Sequence, residues 1–316
     1  MKYVFGPVPS RRLGQSLGID PVPLKTCNWN CVYCQLGRTS PFALERREYV
    51  PRAEILGQVR EALGAHIPGE IDWITFVGSG ETCLHSGLGW LVEAVKQETD
   101  LPVAVITNGS LLHLPEVRRE LLAADAVMPS LDAGTERLYR KINRPHPSLT
   151  LDLLAGGLEA FRAEYRGQLW VEVMLIKGLN DGVRDLQALS AMLERIQADE
   201  IHLLLPTRPP AEPWVEPPDE ATLQRAQFIL GQRARIISEA SGIFDLSLEH
   251  NVTESLLAIL TRHPMRESDL LASLERWLPG QAEETLESLQ ATGRVQAVER
   301  RGERFWGVAQ AKYRAN

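Results

Sequence analysis

Three of the four cysteines of this 316-residue chain fall within eight positions, where KTCNWNCVYCQLG sets Cys27, Cys31 and Cys34 at C-x3-C-x2-C spacing. Thiolates this close are soft ligands suited to an iron–sulfur cluster or to zinc. Three of them leave one iron of a [4Fe-4S] cube without a protein ligand, an opening that a cofactor can occupy. A closed zinc site needs a fourth ligand, and none follows at finger spacing; His66 is the nearest histidine and Cys83 lies further on. A disulfide framework explains the group poorly, because a chain of this size does not depend on such staples. Cys83, standing alone, reads as a buried small hydrophobe, with a redox role as the alternative.

Other chemistry-bearing residues follow apolar runs. In VGSGET (77–82), Gly78 and Gly80 let backbone groups approach a ligand and Glu81 can accept from an ammonium group, although an ordinary turn has the same look. Thr107 and Asn108 close the next run, and Ser130 and Asp132 follow the one after, in PSLDAG. Residues at the carboxyl ends of parallel strands face the ligand crevice. Capping of the following TERLYRKI helix accounts for Ser130 and Asp132 nearly as well. Glu172 either lines the interior and touches a ligand or is a paired buried carboxylate. Arg140 and Asn143 in RKINRPHP, and Arg208 before the prolines, are candidate substrate contacts; the planar fork of Arg208 suits a carboxylate or another anion.

These residues need a scaffold. IDWITFVG (71–78), VAVITN (103–108), AVMPSLD (126–132), LWVEVMLIKG (169–178) and EIHLLLP (200–206) are continuous apolar runs, as in a parallel sheet covered on both faces. Amphipathic stretches at 53–66, 88–97, 115–124, 135–142, 151–165 and 183–196 alternate with them. With one more strand near LGIDPVP, this predicts an α/β protein with a partial (β/α)6 barrel; a doubly wound sheet would alternate in the same way. RPPAEPWVEPP then interrupts the pattern as a rigid spacer or a lid before a helix over 220–233. Helices at 253–263, 267–275 and 282–293, followed by a hairpin over 294–309, suggest a winged helix-turn-helix-like domain. The predicted division is a barrel domain over 1–235, a linker over 236–252 and the small domain over 253–316. The third helix of that domain carries Glu283, Glu284 and Glu287, unlike a helix that enters a DNA groove. Protein contact, or closure over the active site, is the expected role, with nucleic-acid binding through Arg300, Arg301 and Arg304 as the weaker option.

Composition agrees with a globular protein: 44% hydrophobic and 24% charged residues can bury a full core. The net charge of -7 argues against general nucleic-acid binding, yet residues 1–52 hold eight Lys/Arg against three Asp/Glu. Arg11, Arg12, Lys25, Arg38, Arg46, Arg47 and Arg52 therefore form either a solvated basic surface or a surface for an anionic substrate. No apolar run reaches membrane-spanning length, and MKYVFGPVPSRR has no signal-peptide core, so a cytoplasmic protein without a membrane partner is expected.

The cysteine spacing, with aromatic Tyr33 directly before the last cysteine, resembles the signature of the radical S-adenosylmethionine superfamily over about residues 18–210. The resemblance implies a [4Fe-4S] cluster and S-adenosylmethionine as cofactors, with a low-potential donor such as flavodoxin or ferredoxin as partner. It implies chelation of the open iron by the methionine moiety, followed by one-electron cleavage to a 5'-deoxyadenosyl radical that takes hydrogen from a substrate. On the same resemblance Tyr33 approaches the adenine, and Gly78, Gly80 and Glu81 bind the amino end of the cofactor. Thr107, Asn108, Ser130, Asp132 and Glu172 complete the expected cofactor-facing set. Many relatives have proline after the glutamate, where this chain has Thr82. PVPSRR, RKINRPHP, LIKGLND and RPPAEP further resemble a subgroup related to the wyosine-forming tRNA enzymes, but the second cysteine set of such enzymes is missing. An RNA nucleobase is thus the first candidate substrate. A protein or peptide, a small metabolite, and a non-enzymatic iron–sulfur redox sensor are the alternatives.

Overall fold

The chain opens with a hairpin that the sequence reading did not contain: β1 (Val4–Ser10) runs antiparallel to β2 (Gly14–Ile19). Two prolines in VFGPVPS argue against a strand, but Pro is tolerated at a sheet edge, and the pairing is irregular between Phe5 and Val8. The computed structural model describes residues 3–10, 12–237 and 252–313, so Arg11 and nearly all of the expected linker lie outside the described residues. The strand expected near LGIDPVP is β2, placed several residues earlier.

The apolar runs after residue 70 form β3 (Trp73–Phe76), β4 (Val103–Thr107), β5 (Ala126–Pro129), β6 (Gln168–Met174) and β7 (Glu200–Leu204), and β8 (Ala234–Ile236) follows. From β2 to β8 all neighbours are parallel, and the hydrogen-bonded order is the order of the sequence. That order separates the two architectures that periodicity left open. A doubly wound sheet reverses direction at a switch point, whereas strands added always on the same side make a partial (β/α) barrel.

The outer layer is α1 (Arg52–Ala65), α2 (Leu88–Glu98), α3 (Pro115–Leu121), α4 (Glu136–Ile142), α5 (Leu151–Glu164), α6 (Val183–Ile196) and α7 (Glu220–Leu230). Each turns an apolar stripe to the sheet: in α6 it is Leu186, Leu189, Leu193 and Ile196, at the spacing of one helical face. The Thr135 side chain caps α4 by accepting from the Leu138 N–H, so that helix needs no cap from Ser130 or Asp132.

Beyond the barrel lie α8 (Val252–Leu260), β9 (Met265–Arg266), α9 (Glu267–Trp277), α10 (Ala282–Ala291), β10 (Val295–Arg300) and β11 (Glu303–Val308), with sheet order β10-β11-β9. Leu256, Leu260, Leu270, Leu274, Leu286 and Trp306 form its core together with Phe5 and Val8 of β1. The C-terminal module thus shares its core with the barrel's first strand. Of its hairpin arginines only Arg300 faces inward, whereas the Arg301 and Arg304 side chains stay about half exposed. Arg300 is only 8% exposed, pairs with Glu216 at 2.8 Å and donates to the Val215 carbonyl, while Arg304 meets Glu299 and Glu267. Among the described residues no helix is long and apolar enough to cross a membrane.

The proline-rich segment is neither a spacer nor a free lid. Ala211, Glu212 and Val215 are buried, the Glu212 N–H donates to the Val32 carbonyl at 3.0 Å, and Glu216 accepts from the Lys177 N–H. The Glu212 carboxylate lies between Arg38 at 2.7 Å and Arg144 at 2.5 Å. Burial pushes its pKa up, but the two guanidinium groups outweigh burial and hold it below the usual carboxylate range. Such a group stabilises the fold above its unfolded pKa, and the gain disappears as pH falls through the folded value. Wild type is therefore expected to be more stable than Glu212→Gln at neutral pH, with the gap closing as the solution is acidified below the ordinary carboxylate range. Urea unfolding of both proteins across that range tests this, and a gap that does not depend on pH would contradict it.

Candidate cluster and cofactor site

The cysteine loop lies between β2 and α1 and is tied down at both ends. Before the first cysteine, the Lys25 N–H donates to the Ser79 carbonyl and the Glu81 N–H to the Thr26 carbonyl, each at 2.8 Å. That approach explains Gly80: a Cβ there would stand 1.9 Å from the Thr26 oxygen. Between the cysteines, Trp29 is buried edge-on against Tyr139, and the backbone of residues 30 and 32 donates to carbonyls at 142–144. The loop is therefore a fixed part of the barrel mouth.

Each thiol has at least one N–H aimed at it. Cys27 Sγ faces the Trp29 N–H at 3.4 Å and Asn108 Nδ2 at 3.9 Å, and Cys31 Sγ faces Asn143 Nδ2 at 3.8 Å. Cys34 Sγ lies 3.1 Å from Lys25 Nζ, which also donates to the Gly37 carbonyl at 2.7 Å. Burial pushes the Cys27 thiol up to about 12 and raises Cys31 well above its ordinary value, with the neighbouring thiols adding to the effect on Cys31. Left alone, both are neutral at physiological pH; loading a metal must displace their protons.

Among the described residues no set of three or more His, Cys, Asp or Glu closes around a point as a single ion would require. The three thiols are near enough to influence one another's charge. A four-iron cube is larger than an ion and spreads its ligand sulfurs over three corners, and N–H donors to sulfur are the usual way a protein stabilises its negative charge. The residues fit that group better than they fit zinc.

Two polar networks flank the loop. On one side the buried Glu81 accepts from the Cys83 N–H at 2.9 Å, Thr107 Oγ1 at 2.5 Å and the Asn108 N–H at 2.7 Å. Burial raises its pKa, and these donors oppose the shift. Asn108 Nδ2 then meets Asn28 Oδ1 at 2.7 Å, and Asn28 Nδ2 reaches Ser110. Gly78 continues this side through its N–H to Thr82 Oγ1. On the other side Asp132 accepts from Tyr33 Oη at 2.5 Å, Asn143 Nδ2 at 2.6 Å and the Met174 N–H at 2.7 Å.

The structure thus brings together Cys27, Cys31, Cys34, Tyr33, Gly78, Gly80, Glu81, Thr107, Asn108 and Asp132. Ser130 stays beside them through a bridge to Glu172. The Glu172 side chain itself pairs with Arg12, which matches the paired-carboxylate alternative. Asn143 was a candidate substrate contact, but it is fully buried behind Cys31 and serves Asp132. Arg140 lies on the outer surface of α4, bonded to Glu136 and to the carbonyls of His146 and Pro147. Arg208 meets Gln35 and His263 at the junction with the C-terminal module. Cys83 is packed in the core, its thiol 3.3 Å from Thr107 Oγ1.

Sequence reasoning gave no site role to Lys25 or Asn28. Lys25 was counted among the surface cations, although a group of thiolates calls for a nearby positive charge. Asn28, inside the motif, shows its role only when Asn108 and Ser110 arrive from the turn after β4.

The family model described as the radical SAM superfamily matches residues 22–189. A UPF0026 protein of Methanocaldococcus jannaschii is 37% identical over 272 residues, covering 84% of each chain. The dual-specificity RNA methyltransferase RlmN of Nitratidesulfovibrio vulgaris is 25% identical over 228 residues, 68% of this chain and 60% of that one. The crystal structure of a radical SAM methyltransferase from Sphaerobacter thermophilus has a TM-score of 0.53 at 18% identity, over 70% of this chain and 66% of that one, which shows a shared fold. The family match covers more than half of the chain, from just before the cysteine loop into α6, so this protein belongs to the radical S-adenosylmethionine superfamily and is one of its enzymes.

Proposed function

We propose that Cys27, Cys31 and Cys34 hold a [4Fe-4S] cluster and that the enzyme uses S-adenosylmethionine to remove hydrogen from an RNA nucleobase. The observation that carries the reaction is the ring of N–H donors, from Lys25, Trp29, Asn108 and Asn143, directed at three thiols of one loop. When bound there, the cluster supplies the electron that cleaves S-adenosylmethionine to the 5'-deoxyadenosyl radical. The protein's own part is orientation and exclusion of water. Glu81 holds the strand end at Thr107 and Asn108 and offers negative charge to the cofactor's ammonium group. Asp132 and Asn143 fix the Tyr33 ring, which is assigned to the adenine side. Lys25 offsets the charge of the third thiolate.

Membership in an enzyme superfamily sets aside the reading as a sensor that binds without reacting. For the substrate, the similarity to an RNA methyltransferase supports RNA. So does the surface beside the loop, where the 36%-exposed Phe42 meets His146 edge-on at 5.7 Å and Arg47 lies over Tyr49 at 4.7 Å. Aromatic rings alternating with cations suit unpaired bases. A tie to the wyosine-forming tRNA enzymes, without their second cluster, belongs to the same reading. The C-terminal helices and sheet are assigned to a winged-helix-like domain that serves contact within the chain, a reading supported by the buried Arg300, which bonds to Glu216 and the Val215 carbonyl. Flavodoxin or ferredoxin remains the proposed electron donor, and the cytoplasm the proposed setting.

The test is RNA binding as a function of salt. Affinity is expected to fall steeply as salt rises, and Phe42→Ala is expected to weaken binding by about 1–3 kcal/mol. Absence of binding even at low salt would move the substrate to a peptide or metabolite.

A further inference from the structure

The three cysteines are not all held by the barrel. Donors from its own strand ends and loops serve Cys27 and Cys31, but the residues after Cys34 are fastened by the far end of the chain. Tyr313 Oη donates to the Gln35 carbonyl at 2.7 Å, and the Arg38 N–H donates to the Lys312 carbonyl at 2.9 Å. Gly37 forms a parallel bridge with Lys312; its φ is 76°, and a Cβ there would stand 2.3 Å from the Lys312 oxygen. The Gln35 side chain continues the attachment, donating to the Arg262 carbonyl at 3.0 Å and accepting from Arg208 at 2.9 Å.

The polar and apolar contacts of the module are divided. Its apolar contacts with the barrel fall on Phe5 and Val8 of β1 and on Val77 after β3. The bonds to residues 35–38 are polar, and they remove freedom from the segment that carries the third ligand. Within that segment the Gly37 N–H donates to the Cys34 carbonyl at 3.0 Å, and Lys25 spans Cys34 Sγ and the Gly37 carbonyl. Any movement of Gln35 or Gly37 is therefore passed to Cys34 over two or three bonds of a closed ring.

We propose that Gln35 and Tyr313 are positioning residues for the cluster, through which the C-terminal module fixes the loop of Cys34 and keeps the third ligand in place. The proposal rests on the reading that Cys27, Cys31 and Cys34 hold the cluster. It gives the module a role in the chemistry without any contact to substrate.

The test uses full-length protein reconstituted anaerobically: wild type, Tyr313→Phe, Gln35→Leu, and Arg294→Ala as a control. Arg294 pairs with Glu254 on the module surface, away from the loop. The readouts are the electron paramagnetic resonance spectrum of the reduced cluster, the rate of iron loss to a chelator, and the unfolding temperature. Tyr313→Phe and Gln35→Leu are expected to shift the spectrum and to lose iron about tenfold faster, the low end for groups that orient a metal ligand. Arg294→Ala is expected to match wild type, and all four proteins to unfold at the same temperature. Spectra and iron-loss rates like wild type in both loop variants would overturn the proposal, as would faster loss that merely tracks a lower unfolding temperature. Failure of the underlying reading would look different: wild type would take up no iron, or Cys31→Ala would keep all of it.

Discussion

Cys31→Ala is expected to abolish formation of 5'-deoxyadenosine in an anaerobic, dithionite-driven assay, while wild type binds about four irons per chain and makes the nucleoside. In the proposed site Cys31 is the middle ligand of the loop, and alanine there would remove one of three protein bonds to the cluster. The remaining thiols cannot compensate. Burial, with the nearby Glu81 carboxylate adding to it, pushes the Cys27 thiol up to about 12, so Cys27 must give up a proton to bind, and with one ligand gone there is less binding energy to drive that exchange. Variants one layer out should be milder. Asn143→Ala removes a donor to Cys31 and Asp132 and is expected to lower activity about 10- to 100-fold without abolishing it. Stoichiometric zinc with no iron in the wild-type protein would overturn the assignment. A full cluster with no cleavage would instead point to a substrate or partner that must bind first.

Arg262→Met is expected to destabilise the protein by about 3–5 kcal/mol, the range for removing one member of a buried ion pair. Arg262 is 7% exposed and Asp20 1%, and their Nε–Oδ2 distance is 2.8 Å. Asp20 Oδ1 also accepts from the Ser79 N–H at 3.1 Å and the Val22 N–H at 3.3 Å, but these neutral donors do not offset a whole buried charge. The arginine further lies over the Phe5 ring at 4.7 Å, so its loss weakens the packing of the module on β1 as well. Exposed pairs such as Arg195–Glu159 contribute little by comparison, because water already solvates both charges. Urea unfolding of the anaerobic protein gives the measurement. The double variant with Asp20→Asn should recover part of the loss, since the uncompensated carboxylate is then gone. Additive losses would show that the pair is not the cause.

The second prediction concerns the seam between barrel and C-terminal module, and this seam was hardest to see in the chain. The strands and helices were legible because burial imposes a local period: runs such as VAVITN and the stripe of α6 announce themselves within one element. The hairpin strand β1 was hidden by its prolines, and Pro7 and Pro9 show that edge position, not propensity, decided the matter. The candidate site divides in the same way. Cys27, Cys31 and Cys34 were identifiable because ligands for one cluster can sit close together on one loop. Glu81, Asn108 and Asp132 were identifiable because parallel strands end on one side. Asn143 and Lys25 could not be placed, since whether a polar side chain faces a substrate or a sulfur depends on what is opposite.

The sequence by itself determined the local matters: the spacing of the three thiols, the alternation of strand and helix, and the polar residues at the strand ends. Those properties arise between residues near each other in the chain, where geometry follows from a few dihedral angles. Tertiary structure alone decided the barrel over the doubly wound sheet, because strand order depends on where each crossover lands. It also decided that the proline-rich segment lies on the cysteine loop through Glu212, that Arg300 turns inward, and that Tyr313 reaches Gln35. Each of these is a hydrogen bond or ion pair between distant segments. Their partners are chosen by burial, which leaves a charged or polar group no water to bond and makes it take whatever partner the fold brings near.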